Sequence, residues 1–174
     1  AVIRWPGGCF ADDYYWQDGI GPRAQRPRRV NLHWGEVIET NAFGTEEFIR
    51  LCRMVGAAPY ICGNVGSGSP REMRDWIEYC NLAGGSTWSE ARAAHGSPQP
   101  HEVTYWGIGN ENWGCGGHFT PEDYATEYRR FATFAWSFGG KPIYRIACGP
   151  AGNDTDWTRR FFTKLRRDYQ RAPG

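Results

Sequence analysis

The chain has 174 residues, with 20 Lys and Arg against 19 Asp and Glu, for a formal net charge of +1. That length suffices for one domain with a packed core, and so even a balance provides no global field to draw in nucleic acid or a membrane surface. No stretch reaches about 18 uninterrupted apolar residues, so nothing reads as a bilayer span.

Residues 1–5 (AVIRW) predict a short strand cut at its start and closed by Pro6-Gly7-Gly8. They lack the basic start and long apolar run of a signal peptide and read as the middle of something. Residues 10–44 form a long excursion carrying Tyr14, Tyr15, Trp16 and Trp34. Its basic run, residues 23–29, reads as a solvated loop rather than a polyanion site. TEEFIRLCRMVG predicts a helix with Thr45 as N-cap and Glu46 and Glu47 at the positive end of the dipole. Phe48, Leu51, Cys52 and Val55 make its apolar stripe, and Gly56 stops it.

APYICGNVG is the next strand. SPREMRDWIEYCN predicts a helix with a Ser69 to Glu72 capping box, Pro70 at the first position, and a stripe of Met73, Trp76, Ile77 and Cys80. GNVGSGSP lacks the Lys-Ser/Thr ending of a phosphate loop, so nucleotide binding is not expected. EVTYWGIGN is a third strand. TPEDYATEYRRFATFAWSFGG predicts a helix capped by Thr120, with Tyr124, Tyr128, Phe131 and Ala135 on one side. KPIYRIACGP is a fourth strand, and DTDWTRRFFTKLRRDY a fourth helix with Trp157, Phe161 and Leu165 four apart.

Four strands, each followed by a helix, predict an α/β fold with parallel strands. A doubly wound sheet and a (β/α)8 barrel both fit the order. A complete barrel needs roughly 250 residues, and half a barrel leaves two unpaired edges and an open interior. The chain therefore reads as a piece of a longer protein, begun inside a strand and ended at RAPG short of a natural terminus. Its compartment stays open.

Six cysteines, Cys9, Cys52, Cys62, Cys80, Cys115 and Cys148, show no C-x-x-C spacing. Free buried thiols are the preferred reading. A zinc cluster of Cys115, His118 and Cys62 is the weaker alternative. Nine Trp, nine Tyr and nine Phe exceed what one core needs, and rings in loops can stack on the faces of a sugar.

The densest chemistry lies in VTYWGIGNENWGCGGHF, residues 103–119. An apolar strand ends in Asn110-Glu111, at the C-terminal end where barrel enzymes place catalytic carboxylates. Nearby Trp106, Trp113 and Phe119 would strip water from Glu111 and raise its pKa, as suits a general acid. A loop Glu that caps a helix or pairs with an Arg is the competing reading.

RWPGGCFADDYYWQDGIGP, ETNAFGTEEFIRLCRMVGA and WGIGNENWGCGG together resemble the α-L-arabinofuranosidases of glycoside hydrolase family 51, over nearly the whole chain. The resemblance implies a (β/α)8 barrel followed by a β-sandwich, with residues 1–174 a partial catalytic barrel equivalent to strands two to five. It implies a retaining hydrolase for arabinan- or arabinoxylan-type saccharides, without a cofactor or metal. Glu111 matches the acid/base, Asn110 the residue on the sugar 2-hydroxyl, and Arg4 an arginine near the nucleophile. Cys9 falls where many relatives carry Asn. Trp16, Trp34 and Trp113 are candidates for subsite walls, against the alternative that they only pack the loops. The family's nucleophile is a glutamate at the end of the seventh strand, beyond this chain. Glu39 and Asp12-Asp13 lie in the top loop but lack the strand-end position. Related activities (xylosidase, endoglucanase), a non-catalytic carbohydrate-binding half barrel and a homo-oligomeric full-length protein all stay open.

Overall fold

The computed structural model describes residues 1–171. Residues 172–174, where the reading of an unfinished end falls, lie outside the described residues. The parallel sheet contains β1 (Val2–Trp5), β4 (Ala58–Gly63), β5 (Tyr105–Ile108) and β6 (Tyr144–Ala147), in that spatial order. All three pairings are parallel, in a register that aligns Arg4, Tyr60, Tyr105 and Tyr144. A two-stranded antiparallel hairpin, β2 (Arg29–Val30) with β3 (Ile38–Glu39), lies within the long excursion. The flanking helices are α1 (Thr45–Val55), α2 (Pro70–Asn81), α3 (Thr87–Ala94), α4 (Pro121–Phe134) and α5 (Thr155–Arg171).

Because side chains alternate along a strand, the sheet has two unlike faces. Ile3, Trp5, Ile61, Trp106 and Ile108 point to the helices and join the main core. Arg4, Tyr60, Tyr105 and Tyr144 share the other face, where Tyr105 and Tyr144 stack at 5.8 Å and Tyr144 is 60% exposed. No helix of the described residues is long and apolar enough to cross a membrane.

The core centres on Trp76 of α2. Trp16 stacks on it at 5.9 Å, and Trp5, Tyr14 and Trp106 meet it at an edge or a tilt. Each such pair adds about 0.5–1.5 kcal/mol beyond burial. A smaller cluster, Tyr124 and Ala125 with Trp157 and Phe161, joins α4 to α5.

Several local readings change. Thr45 is not the cap of α1. Gly44 holds that place, its N–H donating to Glu47 at 2.9 Å, while Thr45 is buried and accepts the Trp76 indole N–H at 3.0 Å. The buried face of α1 is Thr45, Phe48, Ile49 and Cys52; Leu51 and Val55 are exposed, so the stripe is turned by about one residue. Ser69 and Thr120 do cap α2 and α4. α4 ends at Phe134, well before the Gly139-Gly140 stop. Helix α3 was not foreseen; it is only eight residues long and is capped by Ser86 through Ser89 rather than through a Glu or Gln.

The basic run is not simply solvated. Arg26 is buried and donates to the carbonyls of Gly21 and Asn41 and to Glu47, closing the excursion onto α1. Arg23 shares Glu47, and Arg29 binds Asp18. Against its partial burial, Arg26, the Gly44 N–H and Arg23 hold the Glu47 carboxyl down at about 2.

Candidate active site

Three loops converge at the C-terminal ends of β1, β4 and β5. The loop after β1 makes a 3-10 turn, Cys9–Asp12. The loop after β5 begins at Gly109, whose φ of 82° and close Asn112 side chain leave no room for a Cβ, which would lie 2.0 Å from Oδ1. Glu111 itself has φ 48°, a left-handed conformation uncommon for a residue with a side chain. The surroundings must hold it there, and residues held this way cluster at functional sites.

Asn110 is 4% exposed. Its Oδ1 accepts Arg4 Nη1 at 2.7 Å and its backbone N–H donates to Asp12 Oδ2 at 2.7 Å. Its Nδ2 is buried with no partner among the described residues. Buried amide donors are nearly always satisfied, so this one stands out. Arg4 stands over the sheet beside Tyr60, whose hydroxyl burial pushes up to about 12.

Glu111 is half-buried. Its Oε2 lies 3.5 Å from Cys115 Sγ and 3.9 Å from Cys9 Sγ. Those two sulfurs are joined in a disulfide, so neither has a proton to donate and both are contacts only. The preference for free thiols thus fails for Cys9 and Cys115. The pairing is invisible in sequence because the partners stand 106 residues apart and meet only when β1 and β5 take their places on either side of β4 in one sheet. Cys52, Cys62 and Cys80 are free and buried, and Cys148 is free and half-buried. The weaker zinc cluster does not assemble: Cys115 is spent in the bridge, and the Cys62 thiol donates to the Gly109 carbonyl at 3.2 Å.

The bridge should be strongly stabilising, since a loop of this length restricts the unfolded chain by up to about 4.7 kcal/mol. A non-reducing digest of the full-length protein should yield linked Cys9 and Cys115 peptides, and dithiothreitol should lower its unfolding temperature by several degrees. Unlinked peptides in fresh, alkylated protein would remove the bridge.

The proposed aromatic walls separate. Trp16 is 2% exposed, stacked in the core, with its indole N–H donating to the Glu72 carbonyl at 3.0 Å. Its ring is therefore unavailable to a sugar, which corrects the sequence reading. Trp106 is also buried in the core, on the helix side of β5. Trp113 is half-buried against the α4–α5 cluster, and Phe119 packs partly against both clusters. Trp34 alone stands out, 59% exposed, passing over Gly8 and lining a cavity of about 520 Å³ with Trp5, Phe10, Tyr14 and Phe43.

Sequence reasoning treated Asp12 only as a weak nucleophile candidate and overlooked Asn112. Both are buried at the centre of the loops. Burial pushes the Asp12 carboxyl up to about 6, against the pull of the Asn110, Val65 and Gly66 N–H donors. Asp12 comes four residues after the R-x-P-G-G motif of residues 4–8, and Asn112 directly after Glu111; that proximity was the available signal.

The family model described as "Alpha-L-arabinofuranosidase 1 domain" matches residues 1–141. The chain is 48% identical over 157 residues to the intracellular exo-alpha-L-arabinofuranosidase of Bacteroides ovatus, covering 90% of this chain and 30% of that protein. With the alpha-L-arabinofuranosidase C of Emericella nidulans it shares 41% over 158 residues, covering 90% and 31%. The crystal structure of the family 51 arabinofuranosidase from Xanthomonas axonopodis pv. citri superposes with a TM-score of 0.92 at 45% identity, over 95% of this chain and 34% of that one. That of the Thermotoga maritima alpha-L-arabinofuranosidase, in its arabinose complex, gives 0.86 at 42% identity, over 94% and 34%. The chain spans about a third of the length of these relatives. With a family match over most of its length and a fold this close, the chain belongs to the α-L-arabinofuranosidases of glycoside hydrolase family 51.

Proposed function

We propose that these residues are part of the catalytic (β/α)8 barrel of a full-length retaining glycosidase that releases terminal α-L-arabinofuranosyl units from arabinan- or arabinoxylan-type saccharides. The observation that carries this reading is the pair at the tip of β5. Glu111 is held in a left-handed conformation, beside an Asn110 whose Oδ1 is fixed by Arg4 and whose buried Nδ2 is left for a ligand. Such a donor suits a sugar hydroxyl next to the reacting carbon. The sheet face of Arg4, Tyr60, Tyr105 and Tyr144 would line the barrel interior, with the remaining strands supplied by the rest of the protein, and a C-terminal β-sandwich beyond them.

In this mechanism a glutamate outside residues 1–174 attacks C1 of the arabinofuranose. Glu111 protonates the departing oxygen, then takes a proton from the water that frees the sugar. Retention requires the two carboxyls about 5–5.5 Å apart. The top-loop carboxylates Asp12 and Glu39 are otherwise engaged: Asp12 accepts four hydrogen bonds, and Glu39 accepts the Asn31 amide at 2.8 Å. Trp34 offers an exposed platform beside the site for the saccharide from which arabinose is cut.

Proton NMR of the full-length protein acting on an arabinoxylo-oligosaccharide should show α-arabinofuranose as the first product. A β-anomer formed first would overturn retention. Saturable binding with no turnover would replace the enzyme by a carbohydrate-binding half barrel.

A further inference from the structure

Asp12 is 4% exposed and sits where three loops meet. Its carboxylate divides its work. Oδ1 accepts the backbone N–H groups of Val65 at 2.7 Å and Gly66 at 3.1 Å, in the loop after β4. Oδ2 accepts the backbone N–H of Asn110 at 2.7 Å and the Asn112 Nδ2 at 3.2 Å, in the loop after β5. Its own backbone carbonyl accepts the N–H and hydroxyl of Ser67. Glu111 lies between Asn110 and Asn112, so one oxygen grips the residue on each side of it.

We infer that Asp12 is the positioning residue for Glu111, holding the Asn110 backbone on one side of the proposed acid/base and the Asn112 side chain on the other so that its carboxyl is aimed at the departing oxygen. Asn112 completes the grip by also donating to the Gly116 carbonyl at 2.8 Å, which folds the loop back on itself. A Cβ at Gly116 would come within 2.3 Å of Asp12 Oδ2 and 2.2 Å of the Asn110 carbonyl, so the grip needs a glycine there. Asp12 acts through other residues and touches no substrate. An asparagine in its place has only one accepting oxygen. Its amide group would point hydrogens either at Val65 and Gly66 or at Asn110 and Asn112, and one loop would be released.

The inference rests on the reading of Glu111 as acid/base, and the experiment separates the two. Full-length wild type, Asp12→Asn, Ser67→Ala and Glu111→Ala are compared for kcat/KM on two arabinofuranosides, one with a sugar leaving group and one with dinitrophenolate, which needs no proton. Unfolding temperatures are measured alongside. Asp12→Asn should lose about 10²-fold on the sugar leaving group, the cost of a misaimed catalytic group, and less than about threefold on the aryl substrate. Ser67→Ala cuts a loop tie without touching the carboxylate, so it should lower stability and leave the ratio of the two substrates unchanged. Equal losses on both substrates, or a stability change alone, would make Asp12 a structural residue and overturn the inference. If Glu111→Ala also leaves the ratio unchanged, the acid/base reading itself fails. Should Asp12→Asn not fold, Asn112→Ser removes one donor to Oδ2 and leaves the Val65 and Gly66 bonds; an unchanged ratio there overturns the inference equally.

Discussion

Glu111→Ala in the full-length protein is expected to lower kcat/KM on natural arabinosides by about 10³-fold, within the 10²–10⁴ typical of general acid catalysis. A sugar alkoxide is a poor leaving group and cannot depart without a proton. Dinitrophenolate can, so its kcat/KM should change by less than about tenfold. The covalent intermediate would then accumulate, because no base remains to activate water. Added azide, which attacks without losing a proton, should restore turnover and yield an arabinosyl azide. Equal loss on both substrates without azide rescue would remove Glu111 from the acid/base role. The position supports that role on geometry alone. Glu111 sits in a left-handed conformation at a strand tip, its carboxylate set against a disulfide with no hydrogen to donate.

Arg92 gives a large expected change in stability that rests on no covalent bond. It is fully buried and has no carboxylate partner among the described residues. Its guanidinium donates to five backbone carbonyls: Tyr79 at 2.7 Å, Leu82 at 2.6 Å, Ser97 at 3.0 Å, Ala83 at 3.1 Å and Pro98 at 3.3 Å. The first three of those in chain order are at the end of α2 and just beyond it, where helix carbonyls lack partners and the dipole is negative. Burial lowers the Arg92 pKa, yet an arginine stays charged and its planar fork reaches acceptors that one ammonium cannot. Arg92→Ala should cost about 4 kcal/mol, because it opens a cavity and strands several buried carbonyls. Arg92→Lys should recover only part of this. The unfolding midpoint of the full-length protein in urea measures both, and a loss below about 1 kcal/mol for alanine would show that water replaces the guanidinium at little cost.

Much of the fold could be read from local pattern. The four strands, the helices that follow them and the caps at Ser69 and Thr120 follow from alternation, 3.6-residue spacing and capping chemistry, which act over a few residues. Where competing local signals were close, tertiary contacts decided. Thr45 has cap chemistry, but the Trp76 indole takes its hydroxyl, and Glu47 reaches back to Gly44 instead. Arg92 and Arg26 look like surface residues, since charged side chains are seldom fully buried. Only the assembled loops present the carbonyls that take them in.

The site divides in the same way. Glu111 and Asn110 were legible because the strand tip and the motif around it mark them in a contiguous stretch. Trp16 and Trp34 look alike in sequence, both aromatic and both in the long excursion. Packing alone sends one under Trp76 and leaves the other over Gly8. The Cys9–Cys115 bridge and the four-way Asp12 grip join residues that local pattern cannot relate. The sequence by itself determined the order of the four sheet strands and the helices α1, α2, α4 and α5, the parallel α/β class and the carboxylate at the tip of β5, because those depend on short-range geometry. Only the tertiary structure decided what holds that carboxylate, because the sheet order β1-β4-β5-β6 brings together loops about a hundred residues apart in the chain.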